Sequence, residues 1–313
     1  MTATLSAPPS PKSPSTPLLE QPRGTTEHVV VTAFLLLPFL AIVAAVPLAW
    51  GWGLGWTDIG LAAGFYVVSA LGITVGYHRY FTHRSFKANR PLRVVLAIVG
   101  SVAAQGSVIT WVADHRRHHA YSDKEGDPHS PWLFGTSPAA LAKGFWHAHM
   151  GWLFERDKTN LRRFAPDLLD DRDLRIVDKL GLPITLAGLL LPGVLGGVIT
   201  LSWWGVLTGV FWGGFVRVGF LHHVTWSVNS ICHMIGARPF ASRDKAANFW
   251  PLAILSMGES WHNLHHADPT CARHGVLRGQ VDISARVIWF FEKFGWASDV
   301  RWPKVDRLAA KAA

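Results

Sequence analysis

Cysteine is scarce in this 313-residue chain. Cys232 and Cys271 are the two present, too few for a disulfide framework. That excludes a disulfide-stapled secreted scaffold and fits a reducing compartment. Charge is scarce as well: Asp, Glu, Lys and Arg together make up 16 % of the residues. The N-terminus lacks the charged start and early apolar stretch of a cleaved signal peptide. Despite a formal net charge of +9, no nucleic-acid-binding module is present, so nucleic acid is not expected as a partner. No heme-binding or flavin-binding domain is apparent either.

Apolar and aromatic residues are abundant. Sixteen tryptophans and seventeen phenylalanines accompany a 49 % hydrophobic content, and tryptophan is typical of membrane interfaces. Residues 1–24, rich in Pro, Ser and Thr, read as a disordered tail before a membrane domain over 25–313. Apolar runs at about 29–50, 59–76, 182–204 and 205–221 approach the ~20 residues that cross a ~30 Å hydrocarbon layer. Pro38 and Pro47 interrupt the first, which membrane helices tolerate.

The basic residues fix the expected orientation. Sixteen lie between Tyr77 and Gly181, eleven after His223 and two in the tail. One, Arg217, lies inside an apolar run, where it is costly unless paired or near a helix end. The two short links Gly51–Asp58 and Trp203–Trp204 have none. The positive-inside rule then predicts four crossings with both termini cytoplasmic, and a cytoplasmic cap formed by 77–181 and 222–313. Arg93–Val112 is also apolar. As a fifth crossing it would separate two histidine groups, so a helix in the interface is expected. Ile283, Val287, Phe290, Phe291 and Phe294 form a stripe at helical spacing, with Asp282 as its N-cap.

Three compact histidine groups carry the chemistry. His115, His118 and His119 stand at i, i+3 and i+4, and His262, His265 and His266 repeat that spacing. On a helix each triplet shares one face. His78 and His83 stand five apart, about 140° on an ideal helix. They require a helix end between them, or they reach different metals. Eight clustered imidazoles point to a metal centre; imidazole suits iron, copper, zinc and nickel alike. Asp114, Asp127 and Glu259 lie near these groups and are candidates to accept ring N–H bonds, which fix a ligand's tautomer. His129 is expected to be structural or to orient a ligand. His147, His149, His222, His223 and His274 are expected to serve packing and hydrogen bonding, and His28 lies at a membrane edge.

Gly76–Ala88, Asp114–His119 and His262–His266 resemble the three histidine boxes of the membrane fatty-acyl desaturases. The resemblance is to the stearoyl-CoA (delta-9) group, of the bacterial type, and runs from about Tyr66 to His266. It implies an all-α fold of four transmembrane helices whose cytoplasmic helical cap holds a histidine-ligated di-iron centre. It implies nine ligands: His78, His83, His115, His118, His119, His262, His265 and His266, with His233 of Asn229-Ser230-Ile231-Cys232-His233 as the ninth. Asn229 is implied as a contact through water. Gln105, Trp111, Thr225 and Trp226 match residues that bend the family's acyl tunnel, and Tyr66 and Ala70 match its closed end. Ala113 stands where animal members carry an arginine near the CoA head group.

The function implied is O2-dependent insertion of a cis double bond, delta-9, into a long-chain acyl-CoA or other acyl thioester. It uses two iron ions, within a bacterial plasma membrane and among its lipids. Electrons would come from a separate ferredoxin or a flavin/iron–sulfur reductase. Alternatives are a membrane di-iron hydroxylase, a bis-histidine heme electron carrier and a zinc-dependent membrane hydrolase. The heme reading needs histidines on facing crossings, whereas these cluster at one set of helix ends.

Overall fold

The computed structural model describes residues 17–18, 22–49 and 53–313. Most of the tail therefore lies outside the described residues. The parts of it that are described are docked. Asn160 N–H donates to Pro17 O at 3.0 Å, and Arg23 N–H donates to Arg156 O at 2.7 Å.

Four helices are long and apolar enough to cross a membrane: α1 (Thr25–Ala49), α2 (Trp56–Thr82), α6 (Gly181–Thr200) and α7 (Trp203–His233). Between them lie α3 (Arg90–Ser101), α4 (Val108–Tyr121) and α5 (Pro138–His149), and beyond them α8 (His262–Ala267) and α9 (Ile283–Lys293). A two-stranded antiparallel ribbon, Lys87–Ala88 with Ala297–Ser298, is the one named sheet among the described residues. The architecture is thus mostly helical. Helices α1 and α6 both pack on α7. The long helices outrun the apolar runs. α2 and α7 continue to Thr82 and His233, so crossing helices carry His78 and His233 out of the apolar zone on their own ends.

Close packing of α6 on α7 follows from glycine. A Cβ on Gly196 would come 2.3 Å from Gly205 O, and one on Gly209 would come 2.5 Å from Pro192 O. Hydrocarbon tails are as apolar as leucine, so such helices associate through van der Waals contact that small residues permit. Around the turn, Leu201, Trp203 and Trp204 are largely exposed.

Arg217 is buried, and its guanidinium bonds no described carboxylate. It donates to Gly213 O at 2.9 Å, Gly188 O at 2.8 Å, Val102 O at 3.2 Å and Ser69 Oγ at 3.3 Å. It ties α6, α7 and the link after α3 together through backbone carbonyls, and α2 through the Ser69 hydroxyl. The apolar stretch 93–112 is two helices rather than one. They are broken at 102–107, where Ala104 and Gly106 have positive φ, of 57° and 96°. Twelve residues rise about 18 Å, so α3 is too short to span the ~30 Å hydrocarbon layer. Asn89 and Ser107 cap the two helices, each accepting a backbone N–H.

Helix α9 follows its predicted stripe, and Asp282 caps it by accepting Ala285 N–H at 2.9 Å. Both cysteines are buried and unpaired.

Replacing Gly209 by valine should force α6 and α7 apart. Overpacking of this kind costs about 1–3 kcal/mol. The thermal transition of the detergent-solubilised protein should fall by several degrees. Gly64→Ala, at a position with nothing within 4 Å of an added Cβ, should leave it in place. Equal transitions for Gly209→Val and the parent would contradict the packing.

Candidate metal centre

The nine histidines singled out in the sequence come together in two groups. His78, His83, His115, His119 and His265 form one, and His118, His233, His262 and His266 form the other. Within each group the potential ligand atoms all lie within 4.8 Å of one another. Helix α4 supplies three imidazoles from one face, and α8 supplies three more. His118 and His266 fall in the four-member group while their triplet partners His119 and His265 fall in the five-member group. Each triplet therefore bridges the two groups.

His78 and His83 meet because the end of α2 is not an α-helix. Gly72–Thr82 is wound as a π-helix. His83 N–H donates to His78 O, five residues back, at 3.2 Å. This wider turn, with α2 ending at Thr82, brings the two ring centroids to 4.9 Å. Both rings therefore join one group, and the ideal-helix separation of 140° does not apply.

The ring nitrogens converge. His78 Nε2 lies 3.1 Å from His265 Nε2, which lies 2.9 Å from His119 Nε2, which lies 3.2 Å from His115 Nε2. In the other group His262 Nε2 lies 3.1 Å from His233 Nε2 and 3.0 Å from His266 Nε2. Metal–nitrogen bonds of about 2.0–2.1 Å at right angles hold their donors about 3 Å apart. These spacings are those of a ligand shell.

The opposite nitrogens fix the tautomers. Nδ1 of His78 lies 2.7 Å from Glu259, that of His118 2.9 Å from Asp127, that of His233 3.0 Å from Asp123, and that of His266 2.7 Å from Asp244. A ring that donates Nδ1–H to a carboxylate presents the Nε2 lone pair inward. Four inward lone pairs of this kind repel unless a cation lies among them. The donor set thus fits a pair of metal ions.

The electrostatics agree. Burial, followed by the neighbouring rings, holds His83, His115, His119, His262, His265 and His266 well below the usual imidazole range. These rings are neutral, the form that binds metal. Burial opposes charge on His118 too, but the Asp127 carboxylate outweighs it and raises that ring. Burial likewise opposes charge on Glu259, yet Arg79, His78 and His274 hold it well below the carboxylate range.

Of the carboxylates expected beside the ligands, Asp127 and Glu259 are in place. Asp114 is not. It lies on the edge of α4's histidine stripe, faces the adjacent cavity, and pairs with Thr159 near Arg117. Asp123 and Asp244 escaped the sequence reading. Both come from loops remote in sequence from the rings they meet, and Asp244 has no local motif around it.

Arg79 also went unnoticed. It is completely buried and binds Glu259 at 3.0 Å, Asp282 at 3.1 Å and Ala272 O at 2.8 Å. It joins the His78–His83 run, Glu259 just before the His262–His266 run, and the cap of α9. His129 stacks on His118 at 4.3 Å, while His149 bonds Ser230 and His223. His147 bonds Pro128 O, His222 bonds Ala103 O, and His274 packs against Glu259. Each ring thus has a packing or hydrogen-bonding partner, while His129 with His118 and Asp127, and His274 with His78 and Glu259, also bring their ligand atoms within 4.8 Å of one another.

A cavity of about 540 Å³ runs alongside both groups, within the size range of small-molecule sites. His78 and His115 of one group and His262 of the other line it. Ala70, Gln105, Trp111, Thr225, Trp226 and Asn229 line it as well. Gln105 holds its floor, donating to Thr225 Oγ1 at 3.0 Å and accepting Trp111 Nε1–H at 3.3 Å. Trp111 stacks on His115 at 5.0 Å. Tyr66 stands behind the wall rather than in it. Its hydroxyl donates to Leu255 O at 2.6 Å, and Leu255 is a lining residue.

A crossing-helix bundle, two histidine groups and an apolar slot beside them define the class. The chain belongs to the fatty acid desaturase family, whose model matches residues 54–278. It is an oxidoreductase of lipid metabolism. It is 36 % identical to the sn-1 stearoyl-lipid 9-desaturase of Synechocystis sp., over 93 % of this chain and 86 % of that one. It is 36 % identical to Delta-9 acyl-lipid desaturase 1 of Arabidopsis thaliana, over 88 % and 84 %. It is 40 % identical to the hex-5-enoyl-[acyl-carrier protein] acetylenase of Moorena producens, over 91 % and 89 %.

Removing a carboxylate that orients a ligand should loosen the metal. Asp244→Asn and Asp127→Asn should each weaken metal retention about 10- to 100-fold, read as metal left after dialysis against a graded chelator. Asp114→Asn should match the parent. Parent-like retention in both of the first two would remove them from the site.

Proposed function

We propose that this protein introduces a cis double bond near carbon 9 of a long saturated acyl chain carried on a membrane lipid, using O2 and two irons. The observation that carries the reading is the cavity wall, which takes histidines from both groups, so a chain lying in the cavity passes both. His78, His83, His115, His119 and His265 would hold one iron. His118, His233, His262 and His266 would hold the other, with Asn229 reaching it through water. An unactivated methylene C–H is not acidic, and what the irons supply when bound is the O2-derived oxidising power to break it.

This chain's residues do the rest. Trp111, Gln105 and Thr225 shape the floor beside the metals and fix which carbons stop there. Ala70, with Leu255 held by Tyr66, limits the depth, so position along the acyl chain is measured from the closed end. Buried carboxylates aim four of the ligand rings by accepting their Nδ1–H. Electrons would come from a separate ferredoxin or flavin/iron–sulfur reductase docking on the basic face; the positive-inside asymmetry supports reading that face, and both termini, as cytoplasmic.

We favour a lipid carrier over the CoA thioester first expected; one relative is named for an acyl-carrier-protein substrate. Two relatives are named for stearoyl-lipid or acyl-lipid substrates. Arg23 and Lys158 are the cations among the described lining residues, against Glu27, Asp114, Asp178 and Glu259. Arg23 already donates to Leu153 O and Glu155 O, and Lys158 pairs with Glu27 at 3.2 Å. A polyphosphate head group finds no free cation cluster there.

Gas chromatography–mass spectrometry of lipids from a host expressing the protein should show new monounsaturated chains, lost with His118→Ala. An alcohol in place of an alkene would point to hydroxylation instead. Tyr66→Ala should release Leu255 and admit longer chains, and Ala70→Leu should favour shorter ones. Unchanged chain-length profiles in both would contradict this placing of the closed end.

A further inference from the structure

A second hollow of about 220 Å³ opens beside the cavity. Helices α1 and α6 both lean on α7 and leave a slot between them, floored by Phe215 and Val218. Ala33 and Leu37 of α1 face Leu186 of α6 across it, and no polar side chain among the described residues lines it. Its α1 wall, Val30–Pro38, lies about 8 to 20 Å along the helix from Thr25, within the membrane-crossing stretch. Leu37 and Leu186 are 53 % and 43 % exposed, so the slot faces the bilayer. Val30, Phe34 and Ala104 line both the slot and the cavity. The two hollows therefore part from one shared wall.

We propose that this slot receives the second acyl chain of a diacyl glycerolipid whose first chain occupies the cavity. The inference rests on the lipid-carrier reading above and extends it to the part of the lipid that does not react. The two chains of a glycerolipid leave neighbouring carbons of one glycerol, so they must enter side by side and then diverge. The shared Val30–Phe34–Ala104 wall is where such a divergence is built. A single-chain thioester would leave the slot to bulk lipid. An ester-linked neighbour fills it with hydrocarbon at a depth where hydrocarbon belongs.

Two measurements test this. First, the metal-loaded protein in nanodiscs is irradiated with a 1-stearoyl-2-acyl phosphatidylglycerol carrying a diazirine midway along the second chain. Cross-links should concentrate at least 10-fold on Ala33, Leu37, Leu186 and Phe215 over the exposed Val43 and Val198. An even spread over lipid-facing residues would overturn the proposal. Second, Ala33→Trp and Leu186→Trp, which plug the slot away from the shared wall, are assayed with diacyl lipid and with the matching one-chain lysolipid. Conversion of the diacyl lipid should fall 10-fold or more while that of the lysolipid stays within 2-fold. An equal fall in both, or none in either, would overturn it. Absence of turnover on any lipid in the parent protein would instead defeat the desaturase reading, leaving the cross-link pattern to decide the slot.

Discussion

Nine imidazoles crowded into two buried groups are unstable company. Protonating them would place several like charges in a medium with little water. Leaving them neutral points their lone pairs at one another across about 3 Å. A cation within each group removes the conflict. Much of the polar architecture can be understood as preparation for that cation. Glu259, Asp127, Asp123 and Asp244 each take one ring N–H. They come from separate segments, so the loops after α4 and before α8 must close for the rings to be aimed.

Arg79 anchors the arrangement from below. A buried guanidinium is costly alone, and losing one partner of a buried ion pair typically destabilises by about 3–5 kcal/mol. Here Glu259 and Asp282 both answer it. Glu259 in turn holds His78, and Asp282 caps α9. The end of a crossing helix, the segment leading into His262–His266 and helix α9 are thereby locked to one another through a single side chain. The π-wound end of α2 belongs to the same logic. It lets one helix deliver two rings that an α-helix would have separated, and π segments occur mostly at functional sites.

The parts of this that were legible in the sequence are those governed by local periodicity and composition. Helical spacing gave the two triplets, apolar length gave the crossings, and Asp282 was readable as a cap because an N-cap acts within three residues. Other features, Arg79 among them, were not legible, each for a physical reason. The π turn between His78 and His83 depends on how α2 packs on α3 and α4. Asp123 and Asp244 act across more than a hundred and more than twenty residues respectively. Asp114 sits beside a ligand in sequence, yet its bond vector leads to the cavity. Arg217 has no described acidic partner at all; it is satisfied by carbonyls from other segments, which no pattern in the chain announces.

One metal ion in each histidine group fixes a stoichiometry that can be measured. Protein purified from iron-supplied cells and analysed by inductively coupled plasma mass spectrometry should hold two irons per chain. Fewer than one iron per chain in fully folded protein would contradict the account.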